Sequence, residues 1–153
     1  MTPIRAGWFG ILVVAAGMAM LTAGAGSAQQ MVSVGRDGLN MRAGPGMRFE
    51  ALWVLNRGYP LRVLRRSGDW LHIVDFEGDR GWVFRALTAT APRHVVKALI
   101  ANLRARPSTR SAVIGQVKYG DILQTIEKRP GWVHVQQESG RRGWVARDLV
   151  WGW

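Results

Sequence analysis

No cysteine occurs among the 153 residues. Disulfides, thiolate metal ligands and cysteine nucleophiles are therefore excluded, and any core must hold by packing alone. Acids are scarce too, 10 Asp and Glu against 21 Lys and Arg, for a formal net charge of +11. Such a surplus suits anionic partners. Catalytic signatures are missing: there is no Gly-x-Ser-x-Gly elbow and no His-Glu-x-x-His helix. Gly44-Pro45-Gly46 lacks the helix start that a phosphate-cradling loop needs. These absences point to a protein that is not an enzyme and carries no cofactor.

Helical spacing of apolar residues is also absent beyond the first thirty positions. Those positions hold Arg5, an uncharged apolar stretch from Ala6 to Ala23, then the small residues Ala23-Gly24-Ala25-Gly26-Ser27-Ala28 before Gln29. The order basic, apolar, small reads as a secretory signal peptide over residues 1–28, cleaved after Ala28 or, as second choice, after Ala25. The rival reading is an uncleaved membrane anchor, since about 18 apolar residues approaches a bilayer span. The density of Ala and Gly and the small-residue exit favour removal. Cleavage lowers the net charge from +11 to +10 and leaves no stable membrane anchor. Export to the periplasm or beyond turns the positive surplus away from nucleic acid and toward cell-wall polymers or envelope proteins.

What the rest of the chain has in abundance is repetition. Asn40, Arg42, Pro45, Gly58, Trp70, His72, Gly78, Arg80, Gly81, Trp82, Val83, Arg85 and Leu87 recur 62 positions later, from Asn102 through Trp132, His134 and Trp144 to Leu149. One fixed spacing without gaps means two copies of one structural unit. Short alternating runs broken by Gly, Pro, Asn and Asp mark strands, among them 61–65 and 70–74 with their counterparts 121–126 and 132–136. The units are placed at 34–88 and 96–151, joined by a linker at 89–95 that is short enough for them to touch. His94, in that linker, is expected to be solvated.

Leu39-Asn40-Met41-Arg42-Ala43-Gly44-Pro45-Gly46, Gly68-Asp69-Trp70 and Arg80-Gly81-Trp82-Val83 together resemble the bacterial SH3-like (SH3b) domain. Asn102-Leu103-Arg104-Ala105-Arg106-Pro107, Trp132 and Arg142-Gly143-Trp144-Val145 repeat the likeness, with Arg106 and Pro130 standing where the first copy has glycine. The ending Asp148-Leu149-Val150-Trp151-Gly152 is similar to the close of exported tandem SH3-like proteins. The resemblance implies an all-β protein: two tandem small barrels of five to seven strands behind a signal-peptide helix. Function follows less directly, because one fold hosts many roles.

Strand alternation assigns faces. Leu71 with Ile73, Val133 with Val135, and Val83 and Val145 point inward; Trp70, His72, Trp132 and His134 take the opposite face, as do Trp82 with Phe84 and Trp144 with Ala146. A hairpin through Glu77-Gly78-Asp79 is expected to bring Trp70 within cross-strand reach of Trp82. Trp70, Trp82, Phe84, Trp132 and Trp144 are thus candidate ligand-binding residues, in an arrangement similar to the aromatic groove of eukaryotic SH3 domains. In a barrel this small, an outer-face tryptophan is equally a candidate for burial under a loop or under the other copy. His72 and His134 are one histidine per copy, and none of Asp37, Glu50, Asp69, Asp75, Glu77 or Asp79 recurs as an acid, so no metal site is expected. Asn40 with Arg42, and Asn102 with Arg104, are expected to fix the first loop by bonds to backbone groups. Trp151 and Trp153 either insert into a partner or fold back on the second copy. The sequence reads as a binding or targeting module for peptidoglycan or another anionic envelope component; the alternative is a periplasmic protein-interaction scaffold.

Overall fold

A computed structural model describes residues 28–153. The expected signal peptide, apart from Ala28, lies outside the described residues. The first unit contains β1 (Met31–Val34), β2 (Leu39–Arg42), β3 (Ala51–Leu55), β4 (Pro60–Ser67), β5 (Trp70–Val74), β6 (Arg80–Phe84), a 3₁₀ turn (Arg85–Leu87) and β7 (Thr88–Ala89). The second answers with β8 (Arg93–Val96), β9 (Ile100–Arg104), β10 (Val113–Lys118), β11 (Ile122–Arg129), β12 (Trp132–Gln136), β13 (Arg142–Ala146), a 3₁₀ turn (Arg147–Leu149) and β14 (Val150–Gly152). Sheet order is β3-β2-β6-β5-β4-β1-β7 and, seven strands on, β10-β9-β13-β12-β11-β8-β14. The fold is all-β, two tandem seven-stranded units, as the repeat requires.

Each sheet wraps its own core. Val32, Leu39, Met41, Leu61, Leu71, Ile73 and Val83, drawn from β1, β2, β4, β5 and β6, form one cluster; Val96, Leu103, Leu123, Val133, Val135 and Val145 form the other. Inward Leu71, Ile73, Val83, Val133, Val135 and Val145 follow from the period-2 geometry of strands. The repeated glycine before each tryptophan has a packing cause: a Cβ on Gly81 would lie 2.5 Å from Met41 Cγ, and one on Gly143 2.6 Å from Leu103 Cγ. Only a residue without a side chain lets the core residue of the neighbouring strand lie across β6 or β13. The β4–β5 and β11–β12 hairpins differ where the sequence differs. Gly68 takes positive φ (56°) at the first turn position, whereas Pro130-Gly131 moves it to the second (76°), as Pro at the first position demands.

The junction corrects the linker expectation. Ala89 already belongs to β7 and Arg93, His94 and Val95 to β8, so only 90–92 lack strand structure between the units. His94 is not solvated but wholly buried. Its Nδ1 lies 2.7 Å from Thr125 Oγ1 and its Nε2 2.6 Å from Arg147 Nη1. A guanidinium only donates, so Nε2 accepts and Nδ1–H donates to the threonine hydroxyl. Burial, reinforced by the Arg147 and Lys128 charges, pushes the imidazole down to about 4. Arg147 Nη1 also donates to the Trp153 carbonyl at 3.0 Å, and Trp151 pairs with Val95. The chain's end therefore folds back as an edge strand.

The two units touch, as a short connection implies. Phe76 of the β5–β6 hairpin sits 6.0 Å from Tyr59 and 5.4 Å from Tyr119, which belongs to the second unit. The Tyr119 hydroxyl donates to Glu77. Gly58 abuts Ile122 and Arg93.

Candidate functional site

The outer face of β5 and β6 carries two aromatic pairs rather than one. Register places Trp70 opposite Phe84 and His72 opposite Trp82. Trp70 and Phe84 meet at 5.5 Å between centroids, tilted by 56°, while His72 stacks on Trp82 at 4.8 Å and 26°. Trp70 thus pairs with Phe84, not with Trp82 as expected from the hairpin, because strands paired in this register put 70 beside 84. Arg65 lies over Trp82 at 5.0 Å. His72 is held below its usual range by partial burial and then by the Arg65 and Arg80 charges, which favours the neutral ring in the stack.

In the second unit His134 stacks on Trp144 at 4.7 Å and 11°, with Arg129 over the indole at 4.9 Å. Arg129 does not occupy the position of Arg65; Glu127 does, and it accepts from Arg129 Nε at 2.7 Å. Both indoles end up buried, each 7% exposed. Trp82 and Trp144 are on the face opposite Val83 and Val145, yet the imidazole and guanidinium flanking them leave little ring surface for a ligand. Of the two roles the sequence leaves open for Trp82 and Trp144, ligand platform or burial, the observed burial agrees with the second: the polar neighbours that strand pairing supplies have made this part of the outer face a small second core.

Trp132 differs. Opposite it stands Ala146, where the first unit has Phe84. The missing ring leaves space, and a cavity of about 420 Å³ opens beside half-buried Trp132, lined also by Ile100, Asn102, Arg104, Thr109 and Gln116. The lining joins an indole to a guanidinium, the pairing that suits a ligand with an apolar face and an anionic group. Arg104 Nη1 donates to the Ser111 carbonyl at 2.9 Å, as Arg42 Nη1 does to the Phe49 carbonyl at 2.8 Å. The arginines thus fix the first loop as expected; Asn102 instead accepts from Gln116 across the sheet at 3.2 Å. The sequence alone marks Arg104 and Asn102 as loop anchors and not as cavity lining. The signal that could have found the cavity is the Phe84-to-Ala146 exchange within the repeat.

The family model of the bacterial SH3 domain matches residues 37–89 and 98–150. The chain belongs to this family. Its two SH3 domains are 28% identical, over 135 residues and 81% of the chain, to a putative N-acetylmuramoyl-L-alanine amidase, YrvJ, of Bacillus subtilis (strain 168). The chain spans about a quarter (26%) of that protein's length. Among solved structures, NlpC2 from Trichomonas vaginalis is 14% identical with a TM-score of 0.37, over 81% of this chain and 48% of that one. An NlpC/P60 family protein from Bacillus cereus is 13% identical with a TM-score of 0.35, over 81% and 56%.

Acidic groups converge once among the described residues: carboxylates of Asp75, Glu77 and Asp79 lie within 4.8 Å of one another in the first SH3 domain. Asp75 Oδ1 accepts from the N–H groups of Glu77 (3.0 Å) and Asp79 (2.9 Å), and Oδ2 from the Tyr59 hydroxyl at 3.4 Å. Burial nonetheless holds the Asp75 carboxyl above its usual range. These bonds tie down the hairpin. The second SH3 domain has Gln137, Ser139 and Arg141 at the matching positions.

Proposed function

We propose that this chain is a non-catalytic, exported tandem SH3 module that holds peptidoglycan or another anionic envelope component in the periplasm or outside the cell. The observation that carries the reading is the Trp132 cavity, where an indole and Arg104 line one recess opened by Ala146. Aromatic stacking and guanidinium pairing are the contacts that a sugar–peptide polymer bearing carboxylates would use. Trp70 with Phe84 offers a second, shallower aromatic contact, and two weak sites on one chain gain avidity through high effective concentration. Family membership and likeness to a protein named as a putative amidase support the wall as target; the family match itself covers SH3 domains alone.

Purified sacculi test this directly. The protein is expected to pellet with them in a salt-sensitive way, and a Trp70→Ala plus Trp132→Ala double variant to stay soluble while keeping its fold. Absence of pelleting at low salt overturns the reading. The scaffold alternative is favoured by one feature, the edge strand β3, whose Leu52, Trp53 and Val54 are exposed. Under that alternative Trp53→Ala abolishes capture of an envelope protein and leaves sacculi irrelevant.

A further inference from the structure

The two sheets end in four edge strands, β3 and β7 in the first domain, β10 and β14 in the second. β7 has two residues and β14 three, too few to template another strand. β10 is longer, with Val113 and Ile114 exposed, but its own domain covers it. Arg141 Nη1 donates to the Ile114 carbonyl at 2.8 Å and Gln137 Nε2 to the Gln116 carbonyl at 3.3 Å. The Arg141 side chain crosses Gly115 so closely that a Cβ there would fall 2.7 Å from Nη1. Side-chain donors thus occupy the acceptors that an incoming strand would use.

The fourth edge, β3, has neither safeguard. Leu52 and Val54 stand where the repeat has Ile114 and Gln116, and Trp53 where it has Gly115. The residues matching Arg141 and Gln137 are Asp79 and Asp75. A carboxylate donates to no carbonyl, and Asp75 Oδ1 is turned to the N–H groups of its own hairpin. Among the described residues no side chain takes the place of Arg141 or Gln137 at the carbonyls of Leu52 and Val54. A β-bulge also leaves Leu52 without a partner in β2, since Met41 pairs with Trp53 and Arg42 with Ala51. Ala51–Leu55 contains no charge and no proline, and Leu52, Trp53 and Val54 are 43%, 56% and 66% exposed. An apolar edge of this kind is a template for pairing.

We propose that β3 pairs antiparallel with β3 of a second copy of this chain, forming a twofold dimer. With the axis at Trp53, Leu52 of one copy meets Val54 of the other, so the backbone groups left open on each strand answer those of its twin. The two indoles then stand opposite each other as a cross-strand aromatic pair. The flanks agree: exposed Glu50 precedes the strand and exposed Arg57 follows it, and antiparallel pairing sets the acidic end of one copy beside the basic end of the other. No charge within the strand selects a foreign sequence, while the flanks suit its own. Capping of β10 keeps the assembly closed. Pairing of β3 with β10 would be a heterologous contact that adds molecules without end, whereas β3 on β3 stops at two. The dimer carries two Trp132 recesses on one body and so doubles the contacts available to a polymer, but its formation is independent of what the module holds.

Sedimentation velocity of the exported chain over a range of concentrations, at low and high salt, tests this. A monomer–dimer equilibrium is expected. It should tighten as salt rises, because screening relieves the repulsion between two basic copies, whereas sacculus pelleting should respond to salt in the opposite sense. Trp53→Lys and Val54→Lys, both at exposed positions, should each weaken the dimer roughly tenfold while thermal melts stay near the parent's. Arg141→Ala combined with Gln137→Ala should uncap β10 and add species larger than the dimer. A chain that is monomeric at every concentration and salt overturns the inference, as does a dimer untouched by both lysine variants. A monomer that captures an envelope protein through Trp53 also overturns it and gives the edge to the scaffold partner. Sacculus pelleting by a strict monomer overturns the dimer alone; a dimer that never pellets overturns the wall reading alone.

Discussion

Arg129 lies 4.9 Å above Trp144 although the residue that answers Arg65 in the second domain is Glu127. Two positions along β11, a different arginine reaches the same indole and is steadied by the glutamate that displaced its counterpart. The cation over the tryptophan is thus kept while its place in the sequence is not. Arg65→Gln and Arg129→Gln should each cost on the order of 0.5–1 kcal/mol, the range for a cation on an aromatic face near the surface. Urea unfolding of both single variants and the double checks this; a null effect for Arg129 alone would make its position incidental.

Burial separates the four repeated tryptophans into two kinds. Trp82→Ala or Trp144→Ala should destabilise by about 3–5 kcal/mol, as removal of a packed aromatic does, whereas Trp132→Ala should cost far less and act on ligand binding. Thermal melts of the four alanine variants, set beside sacculus pelleting, would show the split. Equal melting temperatures for Trp132→Ala and Trp144→Ala would contradict it.

Gly81→Ala and Gly143→Ala should each destabilise by roughly 1–3 kcal/mol through overpacking against Met41 and Leu103. Shortening the opposing side chain, as in Gly143→Ala with Leu103→Ala, should cost less than the sum of the two single changes. Strict additivity in a double-mutant cycle would rule out the steric cause.

Ala146→Phe should fill the Trp132 cavity and weaken sacculus binding several-fold while leaving stability nearly unchanged. Phe84→Ala should open a matching recess beside Trp70. Binding that rises with Phe84→Ala and falls with Ala146→Phe would tie affinity to that single exchange; two unchanged affinities would place the ligand elsewhere.

Acid should weaken the second domain. His94 has a folded value of about 4, below its ordinary 6.5, so between those values the unfolded chain binds more protons and stability rises with pH. The contribution is fully present above pH 6.5 and is lost as pH falls toward 4, by roughly 3 kcal/mol at the limit for a shift of this size. His72, also lowered, acts in the same direction, whereas Asp75, raised by burial, gains stability from protonation in the window just above its unfolded value. Urea midpoints at pH 7 and pH 5 for the parent and for His94→Gln would test it: a slope undiminished in the variant would locate the titration elsewhere.

Parity along the strands was legible because side chains alternate whatever surrounds them. Leu71, Ile73, Val83 and their partners point inward, and Trp70, Trp82 and Trp132 point the other way, as the letters alone require. Whether that other face is wet was not legible. Trp82 and Phe84 share it, yet Trp82 is covered because register sets His72 against it and Arg65 reaches over. His94 looked like a linker residue because its partners, Thr125 and Arg147, lie 31 and 53 positions away.

The sequence by itself determined the duplication, the all-β units, the turns and the inward residues, since each follows from local spacing and local backbone preference. Only the tertiary structure decided which indoles are covered, that His94 is a buried neutral base, that Ala146 opens a cavity and that the β10 edge is capped while the β3 edge is open. Those outcomes depend on contacts between residues distant in the chain, where register and packing, rather than neighbouring letters, set what each side chain meets.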